Sequence, residues 1–187
     1  THRGSSAASD VYKRQENWLP EYFYQFPSTI QERDYVAINI SAGHSKRKYP
    51  YEKWRKVISH ILHVSSMEVA LFCSKKEIKD AQRLKSIFQD KVHYPLNSPD
   101  LYHASGIINE SAFLISLDTS LIHLAAALQK PIIGLYSNDL LNYTRYKPYN
   151  VLSKNIKSNT DLIRDIDPND IIEYYDQMID KIDKASI

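Results

Sequence analysis

From Tyr35 onward the chain alternates short β-branched apolar runs with longer segments whose apolar residues recur at helical spacing. That alternation constrains the fold more than any other feature. Strands joined by helical crossovers pair in parallel and need helices on both faces of the sheet. Tyr35 to Ile40 (YVAINI) reads as a buried strand. Pro50 suits a first helical turn, and Trp54, Val57, Ile58, Ile61 and Leu62 follow at helical spacing through His63. Glu68 to Phe72 reads as a strand, and Lys75 to Phe88 as a helix with Ile78, Ala81, Leu84 and Ile87 on its stripe. A short extended piece is expected around Val92, then a helix opened by Pro99 and running to about Ile108. Phe113 to Leu117 and Pro131 to Tyr136 read as strands around a helix from Ser120 to Gln129. Asp167-Pro168 starts a last helix carrying Ile171, Ile172, Tyr175, Met178, Ile179 and Ile182. Ser137 to Lys157, Tyr- and Asn-rich and without clear period, reads as loop with short strands.

The chain's 187 residues suffice for one domain of ordinary size and are too few for two. A composition 43% hydrophobic and 25% charged is globular and argues against disorder. With only four glycines there is no GxxxxGK[ST] phosphate loop and no GxGxxG turn. A single cysteine, Cys73, excludes an intrachain disulfide framework and a multi-cysteine zinc site, and fits a reducing compartment. No apolar run approaches the ~20 residues needed to span a bilayer.

Residues 1–15, THRGSSAASDVYKRQ, are small, polar and aperiodic, and DVYKRQ looks like the in-frame translation of a sequencing-library adaptor. On that reading the natural chain begins near Glu16; a flexible natural terminus is the alternative. Without those residues the chain has 21 positive and 21 negative side chains, so bulk charge does not indicate a polyanionic partner. Residues 16–33, with Trp18, Tyr22, Phe23 and Phe26, are expected to be a linker or connecting helix, and 34–187 the folded domain.

Ligands of parallel α/β sheets bind at the carboxyl ends of the strands, and two stretches there carry chemistry. The first is Ser41 to Tyr49, SAGHSKRKY. Gly43 allows close backbone approach, Ser41 and Ser45 offer hydroxyls, and Lys46, Arg47 and Lys48 bring positive charge beside a helix start. A phosphate or diphosphate fits this set; a solvated basic loop is the plain alternative. Lys53, Arg55 and Lys56, interleaved with Tyr49, Tyr51 and Trp54, extend the cluster in a way that also admits an RNA-binding reading. Trp54 lies on the apolar stripe, however, and zero bulk charge argues against nucleic acid. The second stretch is Leu117 to Pro131, LDTSLIHLAAALQKP. Asp118, Thr119 and Ser120 are all good helix caps, and that alone would account for them. His123, four residues after Thr119 and near the helix start, is not accounted for by capping. A carboxylate, two hydroxyls, free amides and an imidazole together suit a diphosphate-sugar site.

SAGHSKRKYPYEKW and DTSLIHLAAALQKPIIGLYS resemble, respectively, the Lys/Arg-Trp-Pro segment and the Asp-Thr-Gly, His-Leu-Ala-Ala-Ala, Gly-Leu-Tyr/Phe signature of bacterial heptosyltransferases. PDLYHASGIINESAFLIS and NYTRYKPY fit neighbouring parts of the same pattern, so the resemblance covers Tyr35 to about Tyr149. These enzymes form glycosyltransferase family nine. The resemblance implies one half of a GT-B enzyme: a Rossmann-like parallel sheet with helices on both faces, namely the carboxy-terminal, donor-binding domain. It implies an ADP-heptose donor, transfer with inversion, and a glycolipid acceptor of the lipopolysaccharide core reached through an amino-terminal domain absent here. The implied substrate-binding residues are Ser41, Gly43, Lys46, Arg47, Lys48, Asp118, Thr119, Ser120 and His123, with Arg47 and Lys48 toward the diphosphate and Asp118 toward sugar hydroxyls.

The family's base lies in the other domain, so no catalytic residue is assigned and the fragment is expected not to turn over alone. No cofactor and no metal are expected. A cytoplasmic place is expected, with peripheral association at the inner face of the inner membrane left open. Ser120 stands where the family usually has Gly, and Tyr49 replaces the usual Trp before Pro50. Ser120 keeps a non-catalytic nucleotide-binding module as the alternative. Glu77, after the second strand, is a candidate for ribose. His60 and His63 read as a surface pair, and the final helix as one that could pack back on the other domain.

Overall fold

The computed structural model describes residues 35–94 and 101–185. The expectations for residues 1–33, and Pro99 as a helix start, lie outside the described residues. Six parallel strands form one sheet: β1 (Tyr35–Asn39), β2 (Glu68–Phe72), β3 (Val92–His93), β4 (Leu114–Leu117), β5 (Ile132–Tyr136) and β6 (Ser153–Lys157). Their order is β3-β2-β1-β4-β5-β6, the order of doubly wound nucleotide-binding sheets.

Alternation along each strand sorts the core into two layers. Val36 and Ile38 pack on one face with Val57, Ile58 and Ile61 of α1 (Tyr51–Val64) and Ala81 and Leu84 of α2 (Ile78–Phe88). Tyr35 and Ala37 face the other way, onto Ala104, Ile107 and Ile108 of α3 (Leu101–Glu110) and Ile122 and Ala125 of α4 (Ser120–Ala127). The chain therefore leaves β1 toward one face and β4 toward the other. Since β1 and β4 are neighbours, a crevice opens between their carboxyl ends.

One expectation needs correction. Ser137 to Lys157, expected as loop with short strands, holds the edge strand β6 but also a helix, α5 (Leu140–Tyr146). Helix α5 buries no residue, so it has no apolar stripe to read; the Asp139 side chain starts it by accepting from the Asn142 amide at 3.0 Å. In β6 only Ile156 is buried, which leaves too little alternation to see. The last helix, α6 (Pro168–Ala185), packs on its own domain: Ile171, Tyr175 and Met178 lie in the α1 layer, and His60 of α1 meets Asp176 at 2.8 Å.

Candidate functional site

The register of the sheet assembles the crevice. Asn39, the last residue of β1, stands opposite Ser116 of β4, both on the α4 face. Its amide Nδ2 donates to Ser116 Oγ (3.1 Å) and Thr119 Oγ1 (2.9 Å). Its Oδ1 accepts from the Ser41 backbone amide (3.1 Å) and Ser41 Oγ (2.7 Å). One fully buried side chain thus ties the loop after β1 to the loop after β4.

Beyond Ser41 the chain makes a short 3-10 turn, Ser45–Arg47, started by His44, whose Nδ1 accepts from the Lys46 amide at 3.2 Å. The turn brings Arg47 over the end of β4. There its Nη1 donates to the Asp118 carbonyl at 3.0 Å and its Nε lies 3.3 Å from Asp118 Oδ2. Asn142 of α5 donates to the same Oδ2 at 2.6 Å. The buried Asp118 carboxylate is thereby compensated by one cation and one amide, as a buried charge must be.

Two clefts adjoin Arg47, and Gly43 also borders both. One, of about 550 Å³, is lined by Ser41, Ala42, Ser74, Lys76, Asp118, Thr119 and Ser120. The other, of about 440 Å³, is lined by His44, Lys46, Ser137, Asp139, Asn142 and Asp161. Both volumes suit small-molecule ligands. The larger cleft meets the amino end of α4, where backbone amides and helix dipole favour an anion.

Of the nine expected residues, Ser41, Gly43, Lys46, Arg47, Asp118, Thr119 and Ser120 line these clefts. Lys48 and His123 line neither. Lys48 is exposed beyond the turn, and the exposed His123 ring meets Tyr146 edge-on, centroids 6.0 Å apart. Gly43 has no left-handed backbone, and a Cβ built there meets nothing within 4 Å. Its contribution is open space rather than an unusual turn.

Sequence reasoning missed Asn39, Asn142 and Lys76. Lys76 follows the end of β2, where a cation after a strand was a readable signal. Asn142 lies in a helix with no readable period. Asn39 looks like one polar residue in an apolar run. Glu77 is buried beside Cys73, and its carboxylate accepts from Ser74 Oγ. Burial, reinforced by Glu77, pushes the Cys73 thiol up to about 11, so it stays protonated at neutral pH.

The remaining cations of the basic cluster are engaged within the domain. Lys53 Nζ donates to the Arg164 (2.6 Å) and Ile166 (2.7 Å) carbonyls, and Tyr49, buried, donates from its hydroxyl to Ile166 O at 3.1 Å. Lys56 donates to Asn169 Oδ1 (2.9 Å), and Arg55 to Glu52 Oε2 (2.8 Å). Lys46 pairs with Asp161; that hydrogen bond raises the lysine pKa and lowers that of the aspartate. Both groups are fully exposed, and solvent screens such pairs strongly. The cluster pins the β6–α6 connection to α1 and leaves few free cations for a nucleic-acid backbone. Among the described residues no group of three or more His, Cys, Asp and Glu could hold a metal ion, and no helix is long and apolar enough to cross a membrane.

A sequence model of glycosyltransferase family 9 (heptosyltransferase) matches residues 6–175. The fold is similar to that of E. coli heptosyltransferase WaaC solved with ADP, with TM-score 0.68 and 20% identity over 84% of this chain and 47% of that one. E. coli ADP-heptose lps heptosyltransferase II gives TM-score 0.73 and 17% identity over 94% of this chain and 53% of that one. The glycosyl transferase family 9 protein of Veillonella parvula DSM 2008 gives 0.74 and 14%, over 90% and 52%. At these identities the likeness is one of fold. The chain spans about half the length of these solved relatives. A search of curated protein sequences finds no match.

Proposed function

Because this chain belongs to glycosyltransferase family 9, we propose that it forms the donor-binding half of an inverting glycosyltransferase. The proposed donor is an ADP-sugar, with heptose the sugar and a lipopolysaccharide-core glycolipid the acceptor. The observation that carries this reading is the convergence of Arg47, Gly43 and the amino end of α4 on one crevice at the β1/β4 switch point. That set offers a guanidinium, open backbone and helix amides to a diphosphate. The relative solved with ADP supports adenine as the base.

In this reading the diphosphate lies in the larger cleft, against Arg47, Ser41, Thr119, Ser120 and the α4 amides. Lys76 adds charge from the β2 side. As the glycosidic bond breaks, negative charge grows on the leaving diphosphate, and these fixed donors stabilise it more than the ground state. Arg47 reaches phosphate by loosening its hold on Asp118, which frees that carboxylate for sugar hydroxyls. Lys48 and His123 are left out of the donor site. The base that deprotonates the acceptor belongs to the half not present here, so this chain by itself binds donor without transferring sugar. A cytoplasmic place, with the glycolipid acceptor at the inner face of the inner membrane, follows from the same reading. The exposed Ser120 at the mouth of the larger cleft favours one second reading, a nucleotide-binding module without transfer.

The test is titration of the chain with ADP, UDP and GDP separately, following the backbone amides of Arg47 and Asp118 by NMR. ADP is expected to shift them at the lowest concentration. Preference for UDP or GDP would sink the heptose donor, and a folded chain that binds none of the three would sink the donor site. Asp118→Asn is expected to keep ADP affinity or tighten it, because Arg47 is released. It should also abolish any gain from ADP to ADP-heptose.

A further inference from the structure

Thr119 stands just before the first turn of α4 in extended backbone, φ −143° and ψ 173°. From that position a threonine hydroxyl ordinarily accepts from the second or third helical amide and caps the helix. Here it makes no such bond. Its Oγ1 instead accepts from Asn39 Nδ2 at 2.9 Å, with Ser116 Oγ 3.4 Å away. Asn39 is fixed in turn by its second Nδ2 bond and by two bonds from Ser41. A carboxylate at position 39 would offer Thr119 no donor, and a serine would not span the distance. Asparagine supplies donor and acceptor at opposite ends of one planar group.

We propose that Asn39 is a positioning residue: it restrains the Thr119 hydroxyl so that the amino end of α4 stays uncapped and open to the donor's phosphate. The proposal rests on the donor-site reading above. If Asn39 lets go, the Thr119 side chain turns onto the Leu121 amide. An internal acceptor then competes with phosphate for the same helix end.

The test uses the full chain as wild type, Asn39→Ala, Thr119→Ala and the double variant. Hydrogen exchange at the Leu121 amide is measured without ligand, and ADP affinity by calorimetry. In Asn39→Ala, Leu121 exchange is expected to slow about fivefold and ADP to bind about fivefold more weakly, the equilibrium weight of one side-chain cap. Adding Thr119→Ala should make Leu121 exchange fast again, and in ADP affinity the double variant should match Thr119→Ala alone, since Asn39 then has no hydroxyl to restrain. A general structural role for Asn39 would not give that reversal. Unchanged Leu121 exchange in Asn39→Ala, exchange that stays slow in the double variant, or a double variant that binds ADP more weakly than Thr119→Ala alone overturns the proposal. If Asn39→Ala does not fold, Asn39→Ser keeps a buried hydroxyl without reaching Thr119 and is read in the same way. A wild type that binds no nucleotide while Leu121 exchange follows the expected pattern overturns the donor reading, with Asn39's hold on Thr119 intact.

Discussion

Arg47 reaches the crevice because the 3-10 turn before it is tied at His44 and its guanidinium at Asp118. Gly43, four residues earlier, borders both clefts and is not required by backbone geometry. On the proposed donor site, folding and binding therefore separate at this residue. Gly43→Val is expected to change stability by no more than about 0.5 kcal/mol, the usual range for a substitution that disturbs no packing. The same change fills cleft space and should weaken ADP at least tenfold. Thermal melts and calorimetry on the one variant check both; a large drop in melting temperature would mean that the glycine serves the fold. Legibility at this scale depended on neighbourhood. Arg47 and Asp118 were readable as charges at strand ends. Asn39 was not, because its partners Ser116 and Thr119 lie far along the chain and only strand register brings them near.

Among the elements, β5 shows how close a strand can be packed. A Cβ at Gly134 would stand 2.7 Å from Tyr136 Cε2, 3.0 Å from its hydroxyl and 3.2 Å from Asn155 Oδ1. Tyr136 is buried and meets Tyr143 edge-on at 5.1 Å, so its ring has little room to move away. Gly134→Ala is expected to cost about 1–3 kcal/mol, read as a lower thermal midpoint by circular dichroism. An unchanged midpoint would show that the Tyr136 ring relocates freely. Where an element buries a stripe, as in β1 and α1, its residues were readable from the sequence. Where burial is slight, as in α5 and β6, periodicity had nothing to record.

At the scale of the whole molecule, α6 closes the α1 face. Ile171, Tyr175 and Met178 are each no more than 1% exposed against it. Burying three large side chains is worth roughly 5–9 kcal/mol, as much as the whole stability of many domains. A chain ending at Asp167 is therefore expected to lose its cooperative melt; retention of that melt would show α6 to be dispensable. By itself the sequence determined that strands alternate with helices, that the sheet is parallel, and that charge gathers after β1 and β4. Those are local properties, set by periodicity and by residue type at element ends. The tertiary structure decided the strand order, the switch point between β1 and β4, the pairing of Arg47 with Asp118 and the side on which α6 lies. Each of these depends on which distant surfaces exclude water from one another, and no local pattern specifies that choice.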